Sequence, residues 1–426
     1  MKLTADIVIV GSGVAGLFAA LNLPQDKNII IITKSSAEQS DSFLAQGGIC
    51  MLANDEDYGS YFEDTMRAGH YENDPETVEI MIRSSQSIIS SLIDLGVEFE
   101  KNSDGSLKFT REGAHSSPRI CFHEDITGKE ITSKLLSEVK KRKNIKLFEN
   151  LKMIDITEHN SRCTGIIARY PDSSLVEISA RFTLLATGGI GGLFHNSTNY
   201  PHLTADALAI AKKHGVKLKN LDYIQIHPTT LYSKEKGRRF LISESVRGEG
   251  AVLLDKNMQR FTNELQPRDK VSEAIFNQME KDGTEYVWLS MRPIDKDVIL
   301  NHFPHIYKRC LEEGYDATKE CIPVVPAQHY FMGGIEVDCD SKTSMECLYA
   351  AGETSCNGVH GKNRLASNSL LESLVFAKRA AEKIASEFDS YTTLSLQTDL
   401  EDYTDCDVHY EKIIKEEIER IKKENE

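Results

Sequence analysis

The chain has no C-x-x-C pair, no long apolar run and no excess of basic residues, and each absence removes a class of function. Its nine cysteines are an odd number without zinc or iron–sulfur spacing, so neither a metal ribbon nor a disulfide framework is expected. Reduced thiols of this kind fit a cytoplasmic protein. No apolar stretch approaches the ~20 residues of a membrane span. The first apolar segment is short and reads as a strand, not as a signal peptide. Lys and Arg total 50 against 65 Asp and Glu, a net charge of −15, which argues against nucleic acid and anionic membranes as partners. An anionic substrate stays open, because a cationic pocket can sit inside an acidic shell. Internal repeats are absent. The 426 residues, 40% hydrophobic and 27% charged, have an ordinary globular composition and enough length for more than one domain.

What is present begins at once. Ala5 to Val10 is a short apolar strand, and Gly11-Ser12-Gly13-Val14-Ala15-Gly16 completes a G-x-G-x-x-G turn into a helical pattern. Gly11 permits the tight turn, Gly13 lets backbone approach a pyrophosphate, and Gly16 lets helix and strand pack closely. The phosphates then meet the free N–H groups and positive dipole end of the new helix. A second strand follows from Asn28 to Thr33, so the chain is expected to bind a dinucleotide. An NAD site shows an acid at the end of that strand, whereas here it ends Ile32-Thr33-Lys34. Two more glycine-rich turns, Ala45-Gln46-Gly47-Gly48 and Ala186-Thr187-Gly188-Gly189, lie far apart in sequence. Three such contacts suit an extended ligand threading one domain, and FAD fits better than NAD.

The organisation is α/β with an interruption. Asp74 and Pro75 open a helix that stops near Gly96, another follows Thr127, and a third runs from about Thr204 to Gly215. From about Asp222 the texture becomes irregular, and near Gly333 the strand pattern returns before a long helix from Ser369 to about Phe388. The expected architecture is a Rossmann-like FAD-binding domain (1–220 and 333–390) interrupted by an α+β capping domain (221–332). Residues 391–426 read as a linker and a charged helix, with the active site between the two domains.

The middle region carries the conspicuous polar residues. They are His227 before Pro228, the run Ser243-Glu244-Ser245-Val246-Arg247-Gly248, Arg268 opening a helix, and His329 near a glycine pair. Arg364 stands in a small-residue loop leading to the Ser369 helix. Each alone is ambiguous. Together they supply three Arg and two His for one crevice, and Arg forks grip a small dicarboxylate bidentately.

These motifs, GSGVAG, LAQGG, TREGAHS, ATGG, HPT, ESVRGEGA and HGKNRLASNSLLE, stand in the order of the succinate dehydrogenase/fumarate reductase flavoprotein superfamily. The chain resembles that superfamily over about residues 1–390, and within it the members that oxidise L-aspartate. The resemblance implies FAD contacts at Gly11, Ser12, Gly13, Ala15, Gly16, Lys34, Ser42, Ala45, Gln46, Gly47, Gly48, Ala186, Thr187, Gly188, Asp206, Glu353, Ser369 and Leu370. It implies that Arg364 and His329 bind substrate carboxylates with His227, Ser243 and Ser367, above a polar cluster of Glu244 and Arg247. Arg268 matches the proton donor/acceptor, and Glu112 the residue that orients an α-amino group. Asp41 stands where a flavin-linking His is usual in succinate dehydrogenases, so FAD is expected to be non-covalent.

The implied reaction converts L-aspartate to iminoaspartate, with oxygen or fumarate as final acceptor and hand-off of iminoaspartate to quinolinate synthase. A soluble fumarate reductase is the alternative enzyme, with Glu112 as the discriminator. The members that oxidise L-aspartate often have Thr at position 243, and family members often end in a three-helix domain of about a hundred residues, where this sequence shows one charged helix.

Overall fold

A computed structural model describes residues 1–234, 237–394 and 398–425, so a few residues of the expected cap and tail lie outside the described residues. Strands β1 (Lys2–Val10), β2 (Ile29–Ile32), β3 (Ile145–Phe148), β4 (Lys152–His159), β5 (Arg162–Arg169) and β6 (Leu175–Leu185) form the main sheet in the order β3-β2-β1-β6-β5-β4. The strand Leu348–Ala350 adds to β6 in parallel. The sheet is parallel around β1 and antiparallel from β6 to β4.

β1 is buried on both faces. Ile7 and Ile9 enter one apolar cluster, and Val8 and Val10 enter another. A central strand of a covered parallel sheet has this near-continuous apolar character. Val10 pairs with Ile32 on one side and Leu185 on the other, so Gly11, Thr33 and Ala186 leave the sheet at one edge. Ligands of α/β sheets bind beyond this carboxyl edge.

Helices α1 (Val14–Asn22), α2 (Pro75–Asp94) and α3 (Thr127–Lys141) lie in the first cluster, and α4 (Asp206–Lys213) in the second. Asp74 caps α2 by accepting from Glu76 N at 2.9 Å, with Pro75 in the first turn, as its sequence requires. Short α5 (Glu244–Gly248) and longer α6 (Arg268–Asp282) belong to the interrupting segment. That segment has its own antiparallel sheet, β7 (Ile224–Leu231), β8 (Val252–Leu254), β9 (Val287–Ser290) and β10 (Ile322–Phe331), in the order β7-β10-β9-β8. A third apolar cluster, from Leu231 to Val324, fills it. Helix α7 (Asn368–Glu387) returns to pack against α1, and α8 (Tyr410–Asn425) packs on α4.

One buried ion cluster braces the loop that carries Glu112. The Arg119 guanidinium is fully buried, with Nη2 2.9 Å from Asp57 Oδ1 and Nη1 2.8 Å from Asp64 Oδ2. Asp64 also accepts from Ser116 N at 2.7 Å, and Arg119 Nη1 meets His115 Nδ1 at 2.9 Å. Burial would raise the Asp57 carboxyl, but Arg119 and two serine hydroxyls hold it down at about 2. Arg119→Met leaves Asp57 without its cationic partner and Asp64 with Arg67 alone, 2.5 Å away, and is expected to cost about 3 kcal/mol of unfolding free energy at pH 7. The loss shrinks as pH falls, first because the desolvated acids of the variant protonate above the ordinary carboxylate range, and then between about pH 4 and pH 2 as native Asp57 itself titrates. Urea melts at pH 7 and pH 4 check it, and equal losses at both would contradict the charge argument.

Candidate functional site

A cavity of about 1690 Å³, its open mouth included, starts at the carboxyl edge of the main sheet and ends against the interrupting segment. It runs from the glycine turns at one end to the Arg and His residues at the other. Every site residue expected from the sequence lines it except Gly16 and Arg247.

At the sheet edge lie Gly11 to Ala15, Thr33, Lys34, the Leu151–Met153 wall and Thr204 to Asp206. Gly11 has φ +117°, and a Cβ there would stand 2.0 Å from Ala186 O. Gly16 serves packing: a Cβ there would meet Gly11 O at 2.1 Å, so the helix sits directly on the turn. Ser42 Oγ accepts from Val14 N at 3.1 Å, joining a loop far along the chain to the first turn of α1. The acid missing from the end of β2 comes from elsewhere. Asp206 Oδ2 lies 2.6 Å from Lys34 Nζ, at the place where a ribose-binding carboxylate belongs.

Further in, Gly47 and Gly48 face Ala186 to Gly188 and Glu353 across the cavity. A Cβ on Gly47 would stand 2.2 Å from Glu112 Oε1, so this glycine makes space for that carboxylate. Gln46 Oε1 is buried without a hydrogen-bond partner, a group that a ligand must satisfy. Ser369 and Leu370, in the first turn of α7, point its dipole end at the same space. Glu353 is pushed up to about 8 by burial and then by the charge of Asp41.

The inner end is cationic. β7 has register irregularities between Gln225 and Ile226 and between His227 and Thr230, and this bulged stretch presents His227. His227 pairs with Ala327 on β10, which brings its ring to 5.1 Å from that of His329. Burial first, and then Arg268, holds both imidazoles far below their usual range, so they are neutral. Thr198 Oγ1 meets His329 Nδ1 at 2.7 Å, and His227 Nε2 is buried without a partner.

Arg268, the first residue of α6, donates from Nε to Glu244 Oε2 at 2.5 Å and from Nη1 to Gln225 Oε1 at 2.8 Å. Burial opposes the charge on Glu244, but Arg268 and Arg247 outweigh it and keep this carboxyl below its usual range. Arg247 lies beneath, 3.7 Å from Glu244, with Nη1 donating to Glu264 O at 2.6 Å. Ser243 caps α5, its Oγ accepting from Ser245 N at 3.2 Å while it faces the cavity.

Arg364 donates to Ser369 Oγ at 2.9 Å and lies 4.4 Å over the Tyr330 ring. Among the described residues no carboxylate forms an ion pair with it, and its Nε is buried without a partner. Burial, then Arg268, lowers it to about 10. A buried cation without a counter-charge is costly, so this position calls for an anionic ligand.

Glu112 sits between these groups and the Gly47 loop. Its oxygens accept from Ser245 Oγ at 2.7 Å and from Ser367 Oγ at 2.6 Å. Ser367 holds a left-handed conformation with φ +60° to do so, a strained arrangement next to the cavity. Burial, then Glu244, raises the Glu112 carboxyl above its usual range.

Sequence reasoning missed Gln225, Tyr330 and Thr198. Gln225 stands in the same motif as His227, and it joins Arg268 to the Arg364 carbonyl, to which its Nε2 donates at 2.8 Å. Tyr330 follows His329 directly, whereas nothing local marks Thr198.

The glycine cradle, the orphaned Gln46 oxygen and the helix dipoles fit FAD. Residues 6–370 match the FAD binding domain family. An L-aspartate oxidase of Clostridium perfringens is 50% identical over 423 residues, 99% of this chain and 96% of its own length. Another of Synechocystis is 42% identical over 387 residues, 88% of this chain and 69% of its own. The structure of an E. coli quinol fumarate reductase superposes with a TM-score of 0.85 at 29% identity, over 98% of this chain and 74% of that one. With the cradle, the cavity and these likenesses together, the chain belongs to the L-aspartate oxidase family of FAD-binding flavoproteins, within the succinate dehydrogenase/fumarate reductase superfamily.

Proposed function

We propose that this protein oxidises L-aspartate to iminoaspartate, using FAD held along the glycine-lined part of the cavity. Bound FAD supplies a two-electron acceptor. Arg364, held by Ser369 and the Tyr330 face, grips one substrate carboxylate, with neutral His329 and His227 donating hydrogen bonds beside it. Arg268, aligned by Glu244 and Gln225, moves the proton. Glu112 faces the α-ammonium, and Ser243 and Ser367 complete the polar wall. Ordering the substrate in this way supplies much of the rate by fixing orientation. Oxygen or fumarate takes the electrons onward, giving H2O2 or succinate, and iminoaspartate passes to quinolinate synthase in NAD biosynthesis.

The observation that carries this reading is Arg364, a buried guanidinium with no carboxylate in an ion pair among the described residues, converging with Arg268 and two neutral imidazoles. Anaerobic titration of the purified protein tests it: L-aspartate bleaches the flavin absorbance, and succinate does so far less. Bleaching by succinate but not by L-aspartate would refute it in favour of a fumarate reductase.

The same reading makes the cofactor non-covalent, because Asp41 lines the cavity with a carboxyl where the linking imidazole would stand. Acid precipitation is expected to release yellow flavin into the supernatant. Flavin remaining with the pellet would contradict this.

A further inference from the structure

The C-terminal segment is not spare chain. Tyr410, Ile414 and Ile418 of α8 are buried in the cluster beneath the main sheet. Just before α8, Asp407 Oδ1 pairs with Arg169 at 2.7 Å and its Oδ2 with Lys152 at 2.9 Å. Tyr410 Oη donates to Ile154 O at 2.8 Å, and Arg169 Nη2 donates to Tyr403 O at 3.0 Å. These contacts grip the start of β4, whose preceding and first residues, Leu151 to Met153, wall the cavity beside Lys34 and Asp206. By the position of the α1 N-terminus and the end of β2, this is the end that takes the adenosine half of FAD.

The charges form a chain. Lys152 Nζ lies 2.9 Å from Asp407 but 3.9 Å from Asp206, while Lys34 lies 2.6 Å from Asp206. Burial would raise the Asp407 carboxyl, yet Lys152 and Arg169 hold it below its usual range, so it remains ionised. We propose that Asp407 is a positioning residue for cofactor binding: it draws the Lys152 ammonium away from Asp206 and keeps that carboxylate for the ribose of FAD. The C-terminal segment thereby acts as a strap on the adenosine end of the cofactor site.

The sign follows from the geometry. Without the Asp407 charge, the acid nearest to Lys152 is Asp206, and closing that gap removes an acceptor from the cavity. This inference rests on FAD as the cofactor, and wild-type apoprotein binding FAD in the same titration separates its failure from a failure of that assignment.

The test is the FAD Kd of apoprotein followed by flavin fluorescence. Asp407→Asn is expected to weaken FAD by about five- to tenfold, a modest loss because Lys152 is partly exposed. At saturating FAD its kcat for L-aspartate is expected to equal wild type, since the strap touches none of the Arg–His cradle. In a Lys152→Met background the same substitution is expected to have no further effect on Kd. Ile414→Ala, in the apolar seat of the same helix, is expected to lower Tm while leaving FAD affinity within twofold of wild type. Unchanged or tighter FAD binding in Asp407→Asn would overturn the proposal. So would an equal loss in the Lys152→Met background, or an equal loss in Ile414→Ala.

Discussion

Arg268→Lys is expected to lower kcat by about a hundredfold or more, the scale of losing a positioned proton-transfer group, with FAD affinity at its wild-type value. The charge survives in this variant. The fork does not. Arg268 reaches Glu244 from Nε and Gln225 from Nη1, and those two bonds set the plane of the guanidinium. A lysine ammonium is a point charge on a flexible stem, and one nitrogen cannot span both partners while facing substrate. Because Arg268 sits on α6, in the interrupting segment and away from the glycine turns, flavin binding is a clean control. Near-normal turnover in Arg268→Lys would remove it from the proton-transfer role.

Glu112→Gln is expected to separate the two half-reactions. Each Glu112 oxygen already accepts one serine hydroxyl, and an ionised carboxylate keeps further lone pairs for an ammonium. Losing that charge-assisted bond is worth roughly 1.5–3 kcal/mol, about ten- to a hundredfold in kcat/KM with L-aspartate. Fumarate reduction involves no ammonium, so its loss is expected to be much smaller. The pH profile gives a second reading. Burial and Glu244 raise this carboxyl, so aspartate oxidation falls on the acid side at a pH above the ordinary carboxylate range. That limb disappears in Glu112→Gln. Equal losses in both half-reactions would make Glu112 a structural support for Ser245 and Ser367, and the fumarate reductase reading would gain.

The parts legible in the sequence are those written in short stretches. The apolar run of β1, the glycine turn, the Asp74-Pro75 cap and the long helix from Ser369 all reflect local rules of composition, period and turn geometry. Gly16 is legible as the glycine of close packing, since a Cβ there would stand 2.1 Å from Gly11 O. Arg247 lies in the layer below the cavity, 3.7 Å from Glu244. Gln225 and Tyr330 were visible inside motifs read for their neighbouring histidines. Their importance depends on partners in other elements, Arg268 on α6 and Arg364 before α7.

The sequence by itself determined that a dinucleotide fits here and that Arg and His gather in the interrupting segment, because glycine spacing and residue type are local properties. Tertiary structure alone decided which acid stands at the end of β2. Asp206 arrives there from α4, far along the chain, because β6 returns beside β1 and delivers the following loop to the same sheet edge. It alone decided that Arg268 has Glu244 as a partner while Arg364 pairs with no carboxylate among the described residues, the difference that leaves one guanidinium for a ligand. It also decided that the charged tail grips Lys152 and Arg169. Counter-charges are set by which side chains share a low-dielectric space, and that is a property of packing, which spacing along the chain does not encode.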